Sequence, residues 1–291
     1  MHVTFFAKTD IGACREQNED AFVICPNLSS PEWNHYEASV DLDSYGCLLA
    51  VADGMGGANA GDMAAALAVE SIKSNFSSSD LASCLTSDER VRTFLDEAVA
   101  SADNCIREYA RQYPETVGMG TTLVLCWILE GKAYIAWCGD SRCYVFNPRY
   151  GLKALTKDHS YVQELIDRGE LTEDEVLTHP DSNLITRGLG DLGTPAKADI
   201  VDYTIQPNDM FLLCSDGLCG YCTDAVIERV LRASCHNVKN CCDKLIQLAL
   251  DAGGYDNICI VLAFVNDDME SRNHNSNWWS LFRKTFSCKR G

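Results

Sequence analysis

Apolar positions recur along the chain with two different periods, and the two alternate in blocks. Short runs at 21 to 25, 46 to 52, 121 to 128, 132 to 138, 142 to 146, 200 to 205, 210 to 214 and 258 to 265 are continuously apolar or alternate with period two, which predicts strands. The turns at Glu130-Gly131 and Gly139-Asp140 are short enough to predict antiparallel hairpins rather than parallel crossovers. Between the strands lie single apolar stripes at helical spacing. One comprises Ala65, Val69, Ile72 and Phe76, and a second Val91, Phe94, Leu95, Ala98, Ala102, Cys105, Ile106 and Tyr109. Late in the chain, Val226, Ile227, Val230 and Leu231 form a third, and Val238, Cys242, Leu245, Ala249 and Ala252 a fourth. Helix pairs separated by antiparallel strands predict an α+β fold with sheets inside and helices outside. Neither a Pro- or Ser-rich linker nor a repeat divides the pattern, so a single catalytic-size domain is expected up to about residue 266.

Composition narrows the partners. Forty-two acidic residues against 24 basic ones give a formal charge of −18, which repels phosphate backbones and argues against nucleic acid as a partner. The opening MHVTFFAKTD is too short an apolar stretch for a signal peptide, and no run approaches the ~20 residues needed to span a bilayer. A soluble, cytoplasmic protein is expected. Of the sixteen cysteines, Cys47, Cys126, Cys138, Cys214 and Cys259 fall inside strand-like runs and read as reduced core residues rather than a disulfide framework.

Five aspartates share one context of apolar strand, sharp turn and small neighbours: Asp20, Asp53, Asp140, Asp216 and Asp256. An ionised carboxylate at the edge of a buried sheet is costly without a positive partner, and few cations are near in sequence. Several carboxylate oxygens suit a hard divalent ion, Mg or Mn, better than zinc. Gly54 and Gly217, each directly after an aspartate, fit a tight turn or a carbonyl brought close to an ion. Turn chemistry alone also explains any single Asp-Gly. Arg15, in Arg15-x-x-Asn18-Glu19-Asp20, either clamps a phosphate bidentately or forms a plain salt bridge to Glu19.

The ordered motifs resemble the metal-dependent Ser/Thr protein phosphatases of type 2C (PPM), in particular their compact bacterial branch. They are Thr9-Asp10-Ile11-Gly12 through Asp20, Ala52-Asp53-Gly54-Met55-Gly56-Gly57 with Gly61, Gly118-Met119-Gly120-Thr121-Thr122, and Gly139-Asp140-Ser141-Arg142. Leu155-Thr156-Lys157-Asp158-His159, Ile185-Thr186-Arg187 with Leu189-Gly190, Leu213-Cys214-Ser215-Asp216-Gly217-Leu218 and Asp256-Asn257 complete the set. The resemblance covers about residues 4 to 265 and implies a four-layer αββα sandwich, two antiparallel sheets flanked by helices. It implies that Asp53 bridges two Mn2+ or Mg2+ ions, that the Gly54 carbonyl binds one, and that Asp216 with Asp256 completes the other. Glu19 and Asp20 would act on metal-bound waters, Arg15 would hold the substrate phosphate, and Asp140 with Asp216 would form a weaker third metal site. The implied reaction is direct attack of a metal-bridging hydroxide on phosphoserine or phosphothreonine, without a phosphoenzyme. The implied partners are phosphoproteins and a cognate Ser/Thr kinase, with the enzyme a monomer. A silent phosphoprotein-binding adaptor and a two-metal phosphoesterase for small molecules are the alternative functions.

On the same resemblance, residues 1–266 form the phosphatase domain and about 158–189 a flap beside the cleft, with a charged, helix-prone stretch from Ser160 to Thr178. Met55 stands where many eukaryotic relatives carry a histidine resembling a general acid. Methionine cannot donate a proton, so water or another residue must, and His159 and His179 are open candidates. Cys219 and Cys222 form a lone C-x-x-C pair, with a redox or zinc role as the sharper reading and plain core packing as the other. Residues 267–291 form a basic aromatic tail around Trp278, Leu281, Phe282 and Phe286, expected to be flexible or docked on the acidic body, with membrane contact the less favoured reading.

Overall fold

The computed structural model describes residues 1–266 except Asn34, 57–59, 78–80, 177–178, 191–192 and 235–236. The expected tail, 267–291, and Gly57 of the Asp53 motif lie outside the described residues. In chain order come β1 (His2–Asp10), β2 (Asp20–Cys25), β3 (Glu37–Asp41), β4 (Cys47–Met55), α1 (Gly61–Phe76), a short α2 (Leu81–Cys84) and α3 (Asp88–Gln112). Then follow β5 (Gly120–Thr121), β6 (Leu123–Leu129), β7 (Lys132–Cys138), β8 (Arg142–Asn147), β9 (Gly151–Ala154), α4 (Tyr161–Asp167) and α5 (Glu173–Val176). The chain closes with β10 (Leu189–Gly190), β11 (Asp199–Thr204), β12 (Met210–Cys214), α6 (Asp216–Cys219), α7 (Asp224–Ser234), α8 (Val238–Asp251) and β13 (Ile258–Asn266).

Two antiparallel sheets result. One has six strands in the order β3-β1-β13-β12-β8-β9; the other has seven, β10-β5-β4-β6-β7-β11, with β2 on the other edge of β4. The sequence of β13 shows why they stack. Cys259, Val261 and Ala263 face the layer between the sheets, alongside Leu49, Val51, Val124 and Cys126 from the opposite sheet. Ile258, Ile260 and Leu262 face the other way, onto α7 and α8 through Ile227, Leu231, Leu245 and Ile246. A strand covered on both faces reads as one unbroken apolar run, because either parity of its pleat is buried. β4 behaves likewise: Leu49 and Val51 point inward, while Leu48, Ala50 and Ala52 meet Ala64, Ala68, Ile72 and Leu95 of α1 and α3. The outcome is the αββα sandwich.

One expectation needs correction. Glu130-Gly131 does close the β6–β7 hairpin, with Leu129 opposite Lys132. Gly139-Asp140 does not close one, because β7 belongs to the seven-stranded sheet and β8 to the six-stranded sheet. The chain crosses between sheets there. Gly139 takes φ +122°, and a Cβ on it would lie 2.5 Å from Thr122 Cβ, so only glycine makes the crossing without strain. The opening residues form β1, with Val3, Phe5 and Ala7 buried in alternation, paired along its length with β13. The stretch from Ser160 forms two short helices, interrupted near Gly169 at φ +71°.

Candidate active site

The five aspartates come together where the ends of the two sheets meet. Asp20 and Asp53 are directly opposite each other on β2 and β4, a like-charge cross-strand pair that is destabilising by itself. Asp216 opens α6 one residue beyond β12, Asp256 lies one residue ahead of β13, and Asp140 sits in the crossing between β7 and β8. Asp53 and Asp216 are near enough for each to perturb the other's charge. Asp140 is 8% exposed.

Neutral groups hold this charge in place. The Asp53 carbonyl accepts from the Thr122 N–H and the Thr121 hydroxyl, both at 2.8 Å, while the Asp53 N–H donates to Thr122 Oγ1 at 3.1 Å. Thr122 Oγ1 is in turn 2.7 Å from Ser141 Oγ, beside Asp140. Ser215 Oγ donates to Asp20 Oδ2 at 2.7 Å and accepts the Cys259 N–H at 2.9 Å. Asn257 anchors the loop that carries Arg15 and Glu19: its Oδ1 accepts the Glu19 N–H at 2.8 Å, and its Nδ2 donates to the carbonyls of Ile11 and Gln17 at 3.0 and 2.9 Å. Gly54 runs so close to the start of α1 that a Cβ would lie 2.2 Å from the Gly61 carbonyl oxygen. Thr122, Ser141, Ser215 and Asn257 carry no charge and were not singled out by the sequence; their only signal was membership in the ordered motifs.

Burial and mutual repulsion push the carboxylates up. Asp20 rises to about 8 and Asp216 to about 6, each chiefly through burial, with repulsion from neighbouring aspartates adding to it. Asp53 and Asp140 lie well above the ordinary range for the same reasons. Glu19 is raised by burial more than Arg15 lowers it. One oxygen each of Asp20 and Asp216, both Oδ1, is buried without a hydrogen-bond partner. Buried carboxylate oxygens normally find partners, and two unpartnered oxygens among clustered carboxylates fit a bound cation. Among the described residues, no three His, Cys, Asp or Glu side chains close around one point to hold an ion unaided. Hard ions that retain several waters need only one or two carboxylates each, so an open set of hard oxygens fits Mg or Mn and suits a softer ion poorly.

Arg15 is at the rim, half exposed, and pairs with Asp256 Oδ2 at 2.6 Å, not with Glu19 as the salt-bridge reading had it. Cys219 and Cys222 turn away from the acidic group. Cys219 Sγ donates to the Ser215 carbonyl and Cys222 Sγ to that of Leu248, both inside the core under α8. Of the fourteen described cysteines, eleven are buried. An open groove of about 500 Å3 between α3 and β11, lined by Arg92, Asp96, Trp137 and Lys197 among others, includes none of these acidic-site residues.

Residues 6–165 match the family model for protein phosphatase 2C. The chain belongs to that family. Among its relatives, the serine/threonine phosphatase stp of Listeria monocytogenes is 32% identical over 90% of this chain and 95% of its own length. The crystal structure of serine/threonine phosphatase Stp1 from Staphylococcus aureus, 32% identical, superposes with a TM-score of 0.78 over 90% of this chain and 95% of that one. The catalytic domain of PstP, 29% identical and with a TM-score of 0.72, covers 92% of this chain and all of that chain, in a complex with two manganese ions. This phosphatase is thus a metal-dependent protein serine/threonine phosphatase, a hydrolase of phosphoproteins.

Proposed function

We propose that Asp53, Asp216 and Asp256, with the Gly54 carbonyl, hold two Mn2+ or Mg2+ ions, that Glu19 and Asp20 orient waters around them, and that Asp140 with Asp216 offers a weaker third position. The observation that carries this reading is the cross-strand Asp20–Asp53 pair, whose repulsion no cation among the described residues is seen to relieve, beside the orphaned buried oxygens of Asp20 and Asp216. Two such ions, when bound, supply an activated water and offset the charge that develops on a phosphoryl group.

The chain's own residues do the rest. Arg15 holds the substrate phosphate with its exposed guanidinium, and the Asp256 contact keeps it aimed across the acidic rim. Ser215 and Thr122 keep Asp20 and Asp53 in register, so that positive charge drawn to them lies where the phosphate meets Arg15. The phosphoryl group passes directly to water, since the hydroxyls nearest the acidic group are committed to structural hydrogen bonds. Solvent water protonates the leaving alcohol. Met55 ends β4 without a transferable proton, and His159 is buried with both ring nitrogens engaged. The substrates are phosphoserine and phosphothreonine proteins produced by a Ser/Thr kinase, and the enzyme acts as a cytoplasmic monomer in which residues 1–266 are the catalytic unit. Among the described residues, no helix is long and apolar enough to cross a membrane.

The test is hydrolysis of a phosphothreonine peptide with Mn2+, with EDTA, and by Asp53→Ala and Asp216→Ala, alongside calorimetric Mn2+ titration of the metal-free proteins. Turnover that survives EDTA, or Mn2+ binding that survives both substitutions, refutes the assignment.

A further inference from the structure

His159 lies between the acidic group and the flap. Its side chain is 7% exposed, and it grips one residue twice: Nδ1 accepts the Gly139 N–H at 3.0 Å, and the His159 N–H donates to the Gly139 carbonyl at 3.0 Å. Gly139 is where the chain leaves one sheet for the other. The imidazole and backbone of His159 thus satisfy both of its polar groups at the crossing. Asp140 is the next residue. The ring stacks on Trp137, with centroids 5.9 Å apart and planes at 13°.

The far side of His159 belongs to the flap. Its carbonyl accepts the Thr186 N–H at 2.8 Å, and Ser160 bridges to Ile185, so the two ends of the flap meet at this residue. Nε2 faces both Asp199 Oδ2, at 3.2 Å, and the Arg187 guanidinium, which in turn holds Asp199 at 3.0 and 3.2 Å. A peptide N–H can only donate, so Nδ1 must carry a lone pair toward Gly139. Burial first, and Arg187 second, lower the ring's proton affinity and keep it neutral.

We infer that His159 is a positioning residue of the phosphatase reaction: by gripping Gly139 it fixes the Asp140 carboxylate at the acidic centre and ties that carboxylate to both ends of the flap. This deepens the proposed function and rests on its assignment of the acidic centre as the catalytic one. His159 does not touch the substrate, and it transfers no proton.

Two substitutions separate positioning from proton transfer. In His159→Asn the side-chain oxygen falls near the place of Nδ1 and can still accept the Gly139 N–H; in His159→Leu nothing can. With Mn2+ and a phosphothreonine peptide, His159→Leu is expected to lower kcat about 10- to 100-fold, the range for a lost partner behind a metal-site group, with KM changed much less. His159→Asn is expected to stay within about threefold of wild type. Amide exchange needs no activity: the Gly139 N–H should exchange at least about tenfold faster in His159→Leu, and at close to the wild-type rate in His159→Asn. Equal loss of kcat in both variants would make the ring a proton donor and overturn the inference, as would unchanged kcat and Gly139 exchange in His159→Leu. Should His159→Leu not fold, the imidazole 15N spectrum of the wild-type protein decides, because a proton on Nδ1 removes the acceptor. If the wild type shows no Mn2+-dependent turnover, the phosphatase assignment fails, while exchange and spectrum still judge the grip itself.

Discussion

Gly217 occupies the first turn of α6, between Asp216 and the backbone that leads into β13. A Cβ built there would lie 1.9 Å from the Asn257 carbonyl oxygen and 2.8 Å from its carbon. Both are main-chain atoms, so no change of rotamer relieves the contact. Real Cβ atoms essentially never come closer than 3.0 Å, so in Gly217→Ala the backbones carrying Asp216 and Asp256 must part by about 1.1 Å. Misplacing a reacting group by about 1 Å costs on the order of 100-fold in rate, equivalent to about 2.7 kcal/mol of barrier. Overpacking of this kind costs a further ~1–3 kcal/mol of folding stability. The assay is kcat and KM on a phosphothreonine peptide at saturating Mn2+, run beside thermal unfolding. Gly217→Ala should remain folded, lose a few degrees of Tm and lose about 100-fold in kcat. Gly131→Ala is the control: it sits in the β6–β7 hairpin at φ +83° with nothing within 4 Å of an added Cβ, so it should lose ~1–2 kcal/mol of stability through backbone strain and keep its rate. A folded Gly217→Ala enzyme with wild-type kcat would refute the claim that the Asp216–Asp256 spacing limits catalysis.

Other outcomes follow from the same geometry. Asn257→Ala leaves the Glu19 N–H and the carbonyls of Ile11 and Gln17 without their partner; denaturant unfolding should show a loss of about 1–3 kcal/mol, and KM should rise because the Arg15 loop is no longer anchored. The raised folded-state pKa values of Asp20, about 8, and Asp216, about 6, set the sign of a pH effect. Their contribution is fully present below the unfolded value near 3.8 and is lost as pH climbs toward the folded values. Metal-free protein should therefore lose Tm between pH 5 and pH 8, and Mn2+ should restore it. Asp20→Asn removes the charge opposite Asp53, so metal-free stability at pH 8 should rise by on the order of a few kcal/mol while Mn2+ affinity falls, as calorimetry would record. Arg15→Ala should raise KM for a phosphopeptide at least about tenfold, as loss of a charge-assisted phosphate contact requires, and leave Mn2+ titration of the metal-free protein unchanged.

Legibility of the fold depended on how far each residue's fate is decided locally. β4, β12 and β13 were plain because both of their faces are covered, which writes an unbroken apolar run into the sequence. β3 was invisible because Glu37 and Asp41 lie on an exposed edge strand. Gly139-Asp140 was misread for a different reason. A short glycine turn looks the same whether the next strand rejoins the same sheet or enters another, and the difference lies with Thr122 and His159, well away in sequence. The five aspartates stood out because each adjoins an apolar strand. Their supports did not: Ser215, Thr122 and Asn257 are small neutral residues that matter only once distant strands have docked. The partner of Arg15 was out of reach for the same reason, since Asp256 is 241 positions away.

The full-length pairing of β1 with β13 has a consequence for synthesis. β1 leaves the ribosome well before its partner β13, and in the meantime the six-stranded sheet is incomplete. Long-range closure of this kind is slow, and an unpaired strand edge invites association with other chains. Asp256 and Asn257, which complete the acidic group and anchor the Arg15 loop, are made immediately before that closing strand. On the proposed assignment, a nascent chain interrupted between residues 53 and 256 carries Arg15 and Asp53 without the residues that complete their site, and activity is expected only once β13 has been made.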